Sequence, residues 1–206
     1  MPVHLAALLE PSRTALLLME CQQGVIGDGG KLSALSDAVQ RHGTVAQIER
    51  VLGAARGRGV AVFHCLMARR ADGAGSAANC LLLAATRKSE RPLLPGSPQQ
   101  APVAALAPVD GEWVVTRWHG ITPFHGTELD SLLRNLGVRT VVATGVSVNV
   151  GILGLVIEAV NAGYQVVIPR EAVAGTPDAY VDAVMEHTLR LLATLAPVER
   201  VVGVWS

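Results

Sequence analysis

Six short runs of aliphatic and β-branched residues recur along the chain: Thr14 to Met19, Val60 to Leu66, Trp113 to Thr116, Arg139 to Thr144, Gln165 to Ile168 and Val198 to Val204. TALLLM and TVVAT lack the alternation of apolar and polar positions that a half-exposed strand shows, so both faces of these strands are expected to be covered. The runs predict six strands in a mostly parallel sheet. Apolar positions at helical spacing predict helices over Ser36 to Arg58, Thr127 to Leu136, Val148 to Asn161 and Pro177 to Leu195, and Gly137 and Gly163 are stop signals for the second and third. Parallel strands joined by helices need right-handed crossovers, which gives an α/β fold, a doubly wound three-layer sandwich, as one domain over residues 1–206. Residues 72–110 interrupt the rhythm with DGAGSAAN, a short helical LLLAATRK and five of the 11 prolines. An excursion of that length predicts a functional element leaning over the carboxyl edge of the sheet or onto a partner subunit.

Composition narrows the functions. The 206 residues carry 17 basic and 17 acidic side chains, a formal net charge of zero, so neither nucleic acid nor a membrane surface is an expected partner. Half the residues are apolar and 17% are charged, which fits a folded domain with apolar surface left for a homo-oligomer to cover. Cys21, Cys65 and Cys80 form neither a disulfide framework nor a zinc signature and point to a reducing compartment. The opening residues do not read as a secretory signal, and no apolar run is long enough to span a bilayer. The expected location is therefore cytoplasmic.

In a doubly wound sheet, ligands bind beyond the carboxyl ends of the strands. The residues expected there are Glu20-Cys21-Gln22 after strand one, His64-Cys65 at the end of strand two, Arg117-Trp118-His119 after strand three, Gly145-Val146-Ser147 leading to Asn149-Val150-Gly151 after strand four, and Arg170-Glu171 after strand five. A carboxylate at the depth of Glu20 needs a solvated cleft or a cation, and Arg117 is the available partner. Two readings stand at this point: a buried ion pair that only neutralises itself, or a site.

Three segments carry a resemblance. TALLLMECQQG, VVTRWHGITPFHGTELDSLLRNLGV and GVSVNVGILGLVIEAVNAGYQVVIPREAVAG, in that order, resemble the isochorismatase-like hydrolases, also called the cysteine hydrolase superfamily, over about residues 12–204. In the amidase branch the family uses an Asp-Lys-Cys triad. The resemblance sets Glu20 at the aspartate, Arg117 at the lysine and Gly151 at the nucleophilic cysteine. Glycine offers no nucleophile, which excludes a covalent thioester at that position. Strand alternation points Cys21 away from Glu20, and Cys65 reads as a small core residue. The isochorismatase branch also carries glycine there. It protonates a vinyl ether with its carboxylate, and water completes the cleavage to pyruvate and a dihydrodiol. In that chemistry Glu20 would be the acid, although burial favours the protonated form and Arg117 the ionised one. Arginine is a fixed cation with a forked set of donors, suited to gripping a substrate carboxylate.

The same resemblance suggests a cis peptide before Ser147. Ser147 to Gly151 opens a helix whose amides offer an anion site, or else Ser147 or Asn149 simply caps it. Gln22, His119, Phe124, Val146, Ser147 and Asn149 are the expected substrate-binding residues, with His119 and His125 flanking the loop after strand three. Metal-binding relatives use an Asp-x-His with a further histidine after strand two. Here that region reads His64-Cys65-Leu66-Met67-Ala68-Arg69 with no acidic partner, so no metal and no cofactor are expected. Two functions fit these residues: a cysteine-independent hydrolase of a small carboxylated substrate, with Glu20 as acid/base and Arg117 as anchor, or a catalytically silent member that binds a metabolite or protein partner.

Overall fold

The computed structural model describes residues 4–27, 33–88 and 91–206. Lys31, one of the two lysines, lies outside them. Seven strands, β1 Thr14–Met19, β2 Ala61–Met67, β3 Trp113–Arg117, β4 Thr140–Val146, β5 Gln165–Pro169, β6 Val173–Ala174 and β7 Thr194–Ala196, form one parallel sheet in the order β3-β2-β1-β4-β5-β7, with β6 paired to the end of β4. The helices are α1 Leu5–Leu8, α2 Gln23–Ile26, α3 Ser33–Arg41, α4 Thr44–Gly57, α5 Leu81–Arg87, α6 Leu129–Asn135, α7 Leu153–Asn161, α8 Asp178–Val184, α9 Arg190–Leu192 and α10 Val198–Trp205.

Every residue of β1 and β4 is buried, as unalternated apolar runs require. Alternate β1 residues serve different layers. Leu16 and Leu18 pack with Leu35 and Val39 of α3, Ile48, Val51, Leu52 and Ala55 of α4, and Val201 and Trp205 of α10. Ala15, Leu17 and Met19 face Leu129 and Leu133 of α6, Leu155, Val156 and Ala159 of α7, and Val184 of α8. This is the expected three-layer α/β sandwich. α6 and α7 are followed by Gly137 (φ 70°) and Gly163 (φ 90°), the left-handed stops read from the sequence.

Two expectations are corrected. The run Val198 to Val204 is a helix, α10, and the last strand is the preceding β7. Val198, Val201 and Trp205 are buried while Glu199 and Arg200 are exposed, a helical period on an otherwise valine-rich run. The Trp205 indole Nε1 donates to the carbonyl of Leu9 at 2.9 Å. The predicted helix Ser36 to Arg58 is two helices, α3 and α4, divided at Gly43 in the left-handed region (φ 59°).

Gly145, one residue before the end of β4, is under close constraint. It pairs with Met19 in register, has φ 101°, and a Cβ there would lie 2.1 Å from the Met19 carbonyl oxygen. Only glycine lets the ends of the two central strands meet so closely, and those ends carry the residues of the site.

Candidate functional site

The chain leaves β1 at Glu20 with φ 50°, the only non-glycine residue in the left-handed region among the described residues. Such a conformation costs on the order of 1 kcal/mol and recurs at functional sites. It also breaks the pleat. Simple alternation would put Cys21 on the Met19 face, yet Cys21 packs in the opposite layer beside Leu16 and Leu18. The turn at Glu20 therefore redirects the chain beyond β1, and the Glu20 carboxylate accepts a hydrogen bond from Arg117 Nη2 at the end of β3. Arg117 is 4% exposed and Glu20 19%.

A cavity of about 430 Å³ lies against this pair, with Glu20, Arg117 and Gly151 all in its wall. Ser147 and Val150 add the elbow after β4, and Gly120 and Ile121 the loop after β3. Gly24 and Val25 of α2 and Leu35 of α3 line it as well, and the excursion between β2 and β3 adds Leu82, Leu83, Ala85, Thr86 and Leu93, leaning over the carboxyl edge of the sheet, the first of the two dispositions expected for it. Backbone hydrogen bonds from Gln23 to Ala101 (2.8 Å), Gly24 to Gln99 (2.8 Å) and Val103 to Cys21 (2.9 Å) bind this excursion to the segment after β1.

Arg117 is incompletely satisfied. Its Nη1 is buried without a hydrogen-bond partner among the described residues, and its Nε reaches the Gly120 carbonyl only at 3.5 Å. A buried guanidinium donor left unpaired is costly, and an entering anion removes that cost.

Opposite lies the elbow. The Val146–Ser147 peptide is cis, in keeping with the resemblance. Val148–Ile152 then makes one wide π-type turn into α7, in which the amides of Val150 and Ile152 donate to the Ser147 carbonyl. Ser147 makes no side-chain cap, and Asn149 Oδ1 is buried without a partner, so neither acts as the ordinary helix cap. At Gly151 a Cβ would sit 2.9 Å from the Val146 carbonyl oxygen and 3.2 Å from the Met19 methyl, so any side chain there must displace backbone.

The other thiols stay out of the site. Burial pushes the Cys65 thiol up to about 12, against a lesser opposing pull from Arg117. Burial, with Cys65 and Glu20 adding to it, pushes the Cys21 thiol higher still. Cys80 is exposed.

Of the residues expected to bind substrate, Ser147 lines the cavity, while the wall does not include Gln22, His119, Phe124, Val146 or Asn149. Gln22 is fully buried: its Oε1 accepts from the Met67 amide (2.8 Å) and its Nε2 donates to the carbonyls of Met67 (2.9 Å) and Gln100 (2.8 Å), joining β2 to the excursion. His119 is exposed and meets His125 edge to face at 5.8 Å. Phe124 packs on Tyr164 at 6.0 Å. Val146 is core and supplies the carbonyl that crowds Gly151. His64 is corrected as a residue of the strand mouth. β2 runs on to Met67, and His64 sits in mid-strand opposite Val114, bonded to Glu112 at 2.9 Å. No group of three or more metal-type ligands occurs among the described residues, and no helix there is long and apolar enough to cross a membrane.

Ending β2 at Leu66, as its apolar run suggests, misses Arg69. The strand closes at Met67, and Arg69, two residues on, is 4% exposed and lines the cavity. An arginine two residues beyond a largely apolar strand was the available signal.

An open parallel sheet with a crevice beyond the carboxyl ends of its central strands is the arrangement in which doubly wound folds take small molecules. The family model for the isochorismatase domain matches residues 14–200, and the chain belongs to that family of hydrolases. It is 29% identical over 213 aligned residues to the ureidoacrylate amidohydrolase RutB of Agrobacterium fabrum, covering 96% of this chain and 92% of that protein. It is 32% identical over 156 residues to the RutB of Rhizobium rhizogenes, there covering 69% of this chain but only 62% of the relative. The crystal structure of an isochorismatase family protein from Desulfovibrio vulgaris superposes with a TM-score of 0.81 at 26% identity, over 93% of this chain and 97% of that one.

Proposed function

We propose that this protein hydrolyses a small carboxylate-bearing substrate without a covalent intermediate, with Arg117 as the carboxylate anchor and Glu20 as the acid/base. The observation that carries the reading is the buried, unpartnered Nη1 of Arg117 in a cavity wall that also holds Glu20 and, where a nucleophile would stand, Gly151. Ureidoacrylate, the substrate named for two relatives, is likewise a carboxylate.

A substrate carboxylate that takes the guanidinium brings a second anion beside Glu20, and two carboxylates sharing a site favour a proton on one of them. On a vinyl ether, that proton passes to the terminal methylene carbon. Water adds to the oxocarbenium carbon and returns a proton to Glu20, and the hemiketal collapses to pyruvate and an alcohol. The apolar roof of Leu83 and Leu93 excludes other water while this happens.

Pyruvate release from isochorismate by the wild-type chain, followed beside Glu20→Gln, tests the reading, with ammonia release from ureidoacrylate as a second assay. Turnover of either substrate that is lost in Glu20→Gln supports it. Turnover that survives the substitution, or no turnover of either substrate, overturns it.

A further inference from the structure

The cavity holds a second buried guanidinium. Arg69 is 4% exposed, and its amide donates to the Leu93 carbonyl at 2.9 Å, fixing it under the excursion. Its side chain donates to two neutral oxygens of one residue, the Thr86 carbonyl (Nη1, 2.6 Å) and the Thr86 hydroxyl (Nη2, 2.9 Å). That hydroxyl is itself aimed by its bond to the Leu83 carbonyl at 2.9 Å. No carboxylate among the described residues pairs with Arg69. Burial and the nearby Arg87 both act against its charge. Guanidinium carries five N–H donors and stays protonated, so Arg69 keeps donors and a full positive charge that no carboxylate among the described residues compensates. Buried charge of that kind is ordinarily paired.

Its place relative to Arg117 is set by the sheet. Met67 pairs with Arg117 in register, and the Ala68 amide donates to the Arg117 carbonyl at 2.9 Å, so the two arginines leave adjacent strand ends into one cavity. Against them the described wall offers one carboxylate, Glu20, already bonded to Arg117.

We propose that Arg69 is a second anion subsite, so that the substrate is a dianion with one carboxylate at Arg117 beside Glu20 and the other at Arg69 beneath α5. This deepens the proposed function and rests on its reading of Arg117 as an anchor. Thr86 is the positioning residue, holding the Arg69 fork by its carbonyl and hydroxyl so that the remaining donors face the cavity.

Titration calorimetry with the straight-chain dicarboxylates from succinate to suberate, each beside its monoamide, tests this on the full chain. The wild type is expected to bind at least one diacid roughly tenfold or more tighter than its monoamide, the scale of one charge-assisted pair. Arg69→Met is expected to abolish that ratio while leaving the monoamide's affinity in place, and Arg69→Lys to restore part of it. A merely structural role would instead weaken diacid and monoamide alike and give lysine no advantage. Absence of diacid preference in the wild type, or a preference that persists in Arg69→Met, overturns the subsite. Failure of the underlying reading looks different: Arg117→Met would leave the monoamide's affinity unchanged.

Discussion

Strand β3 has a carboxylate–guanidinium cluster at each end, about 17 Å apart at the rise of a strand, and the two are finished differently. At its start, Glu112 accepts from Arg56 Nε (2.8 Å) and Nη2 (3.0 Å), from His64 Nε2 (2.9 Å) and from the Val109 amide (3.0 Å). Burial alone would raise its carboxyl, but these donors outweigh burial and hold it at about 2. Burial pushes the His64 imidazole down, with Glu112 pulling less strongly the other way. At the far end, Glu20 accepts from Arg117 and Arg117 keeps an orphaned nitrogen on a cavity wall. Burial is common to both clusters. What separates a structural cluster from a candidate site is the hydrogen-bonding capacity left over after the protein has made its own contacts.

The largest effect that sharpens this contrast is on rate. Glu20→Gln is expected to lower turnover by about 10²–10⁴-fold, the range for a lost general acid, while the thermal transition stays cooperative. A fall under tenfold in the pyruvate or ammonia assay would make the Glu20 cluster as structural as the other. Next comes stability: Glu112→Ala leaves buried His64 without its partner and is expected to cost about 3 kcal/mol in urea unfolding, with kcat unchanged. A matching loss of kcat would break the division between the two ends of the strand.

The pH dependence ranks third, with an effect on the order of 2 kcal/mol. Glu112 titrates lower folded than unfolded, so its contribution is complete above its ordinary value near 4.5 and is lost as pH falls through about 2. His64 is also lowered from 6.5, so the unfolded chain takes up that proton first and stability begins to decline below about 6.5. Unfolding free energy should therefore fall from pH 6.5 and most steeply between 4.5 and 2, and Glu112→Gln should flatten the lower segment. The smallest effect is expected of Glu20→Gln combined with Arg117→Met. Replacing both partners removes the charges together with the orphaned nitrogen, so unfolding free energy should change by less than about 1 kcal/mol or rise. A loss of 3 kcal/mol or more would put this pair on the footing of Glu112.

Much of the fold was legible because it arises from local pattern. Unalternated runs announced β1 and β4, and helix stops appeared at Gly137 and Gly163. The misreadings came where composition and period disagree. Val198 to Val204 is rich in strand-forming valine, but the burial of Val198, Val201 and Trp205 follows the helical period, and packing against Leu9 and the sheet decided it. At the site, Glu20 and Arg117 were readable as a pair because a carboxylate that deep requires a cation. Gln22 was not readable as a clasp, since its partners, Met67 and Gln100, are 45 and 78 residues away.

By itself the sequence determined which strands would be covered on both faces, that Gly151 brings no nucleophile, and that an acid and an arginine would both stand at the carboxyl edge of the sheet. These depend on residue type and on short-range periodicity, which the chain carries along its length. Only the tertiary structure decided that Cys21 turns into the opposite layer at Glu20, that Arg117 Nη1 is left without a partner, and that Arg69 reaches the same cavity beneath α5. Each of those depends on which distant groups are present to fill, or fail to fill, a hydrogen-bonding position, and that is settled by the packing of segments far apart in the chain.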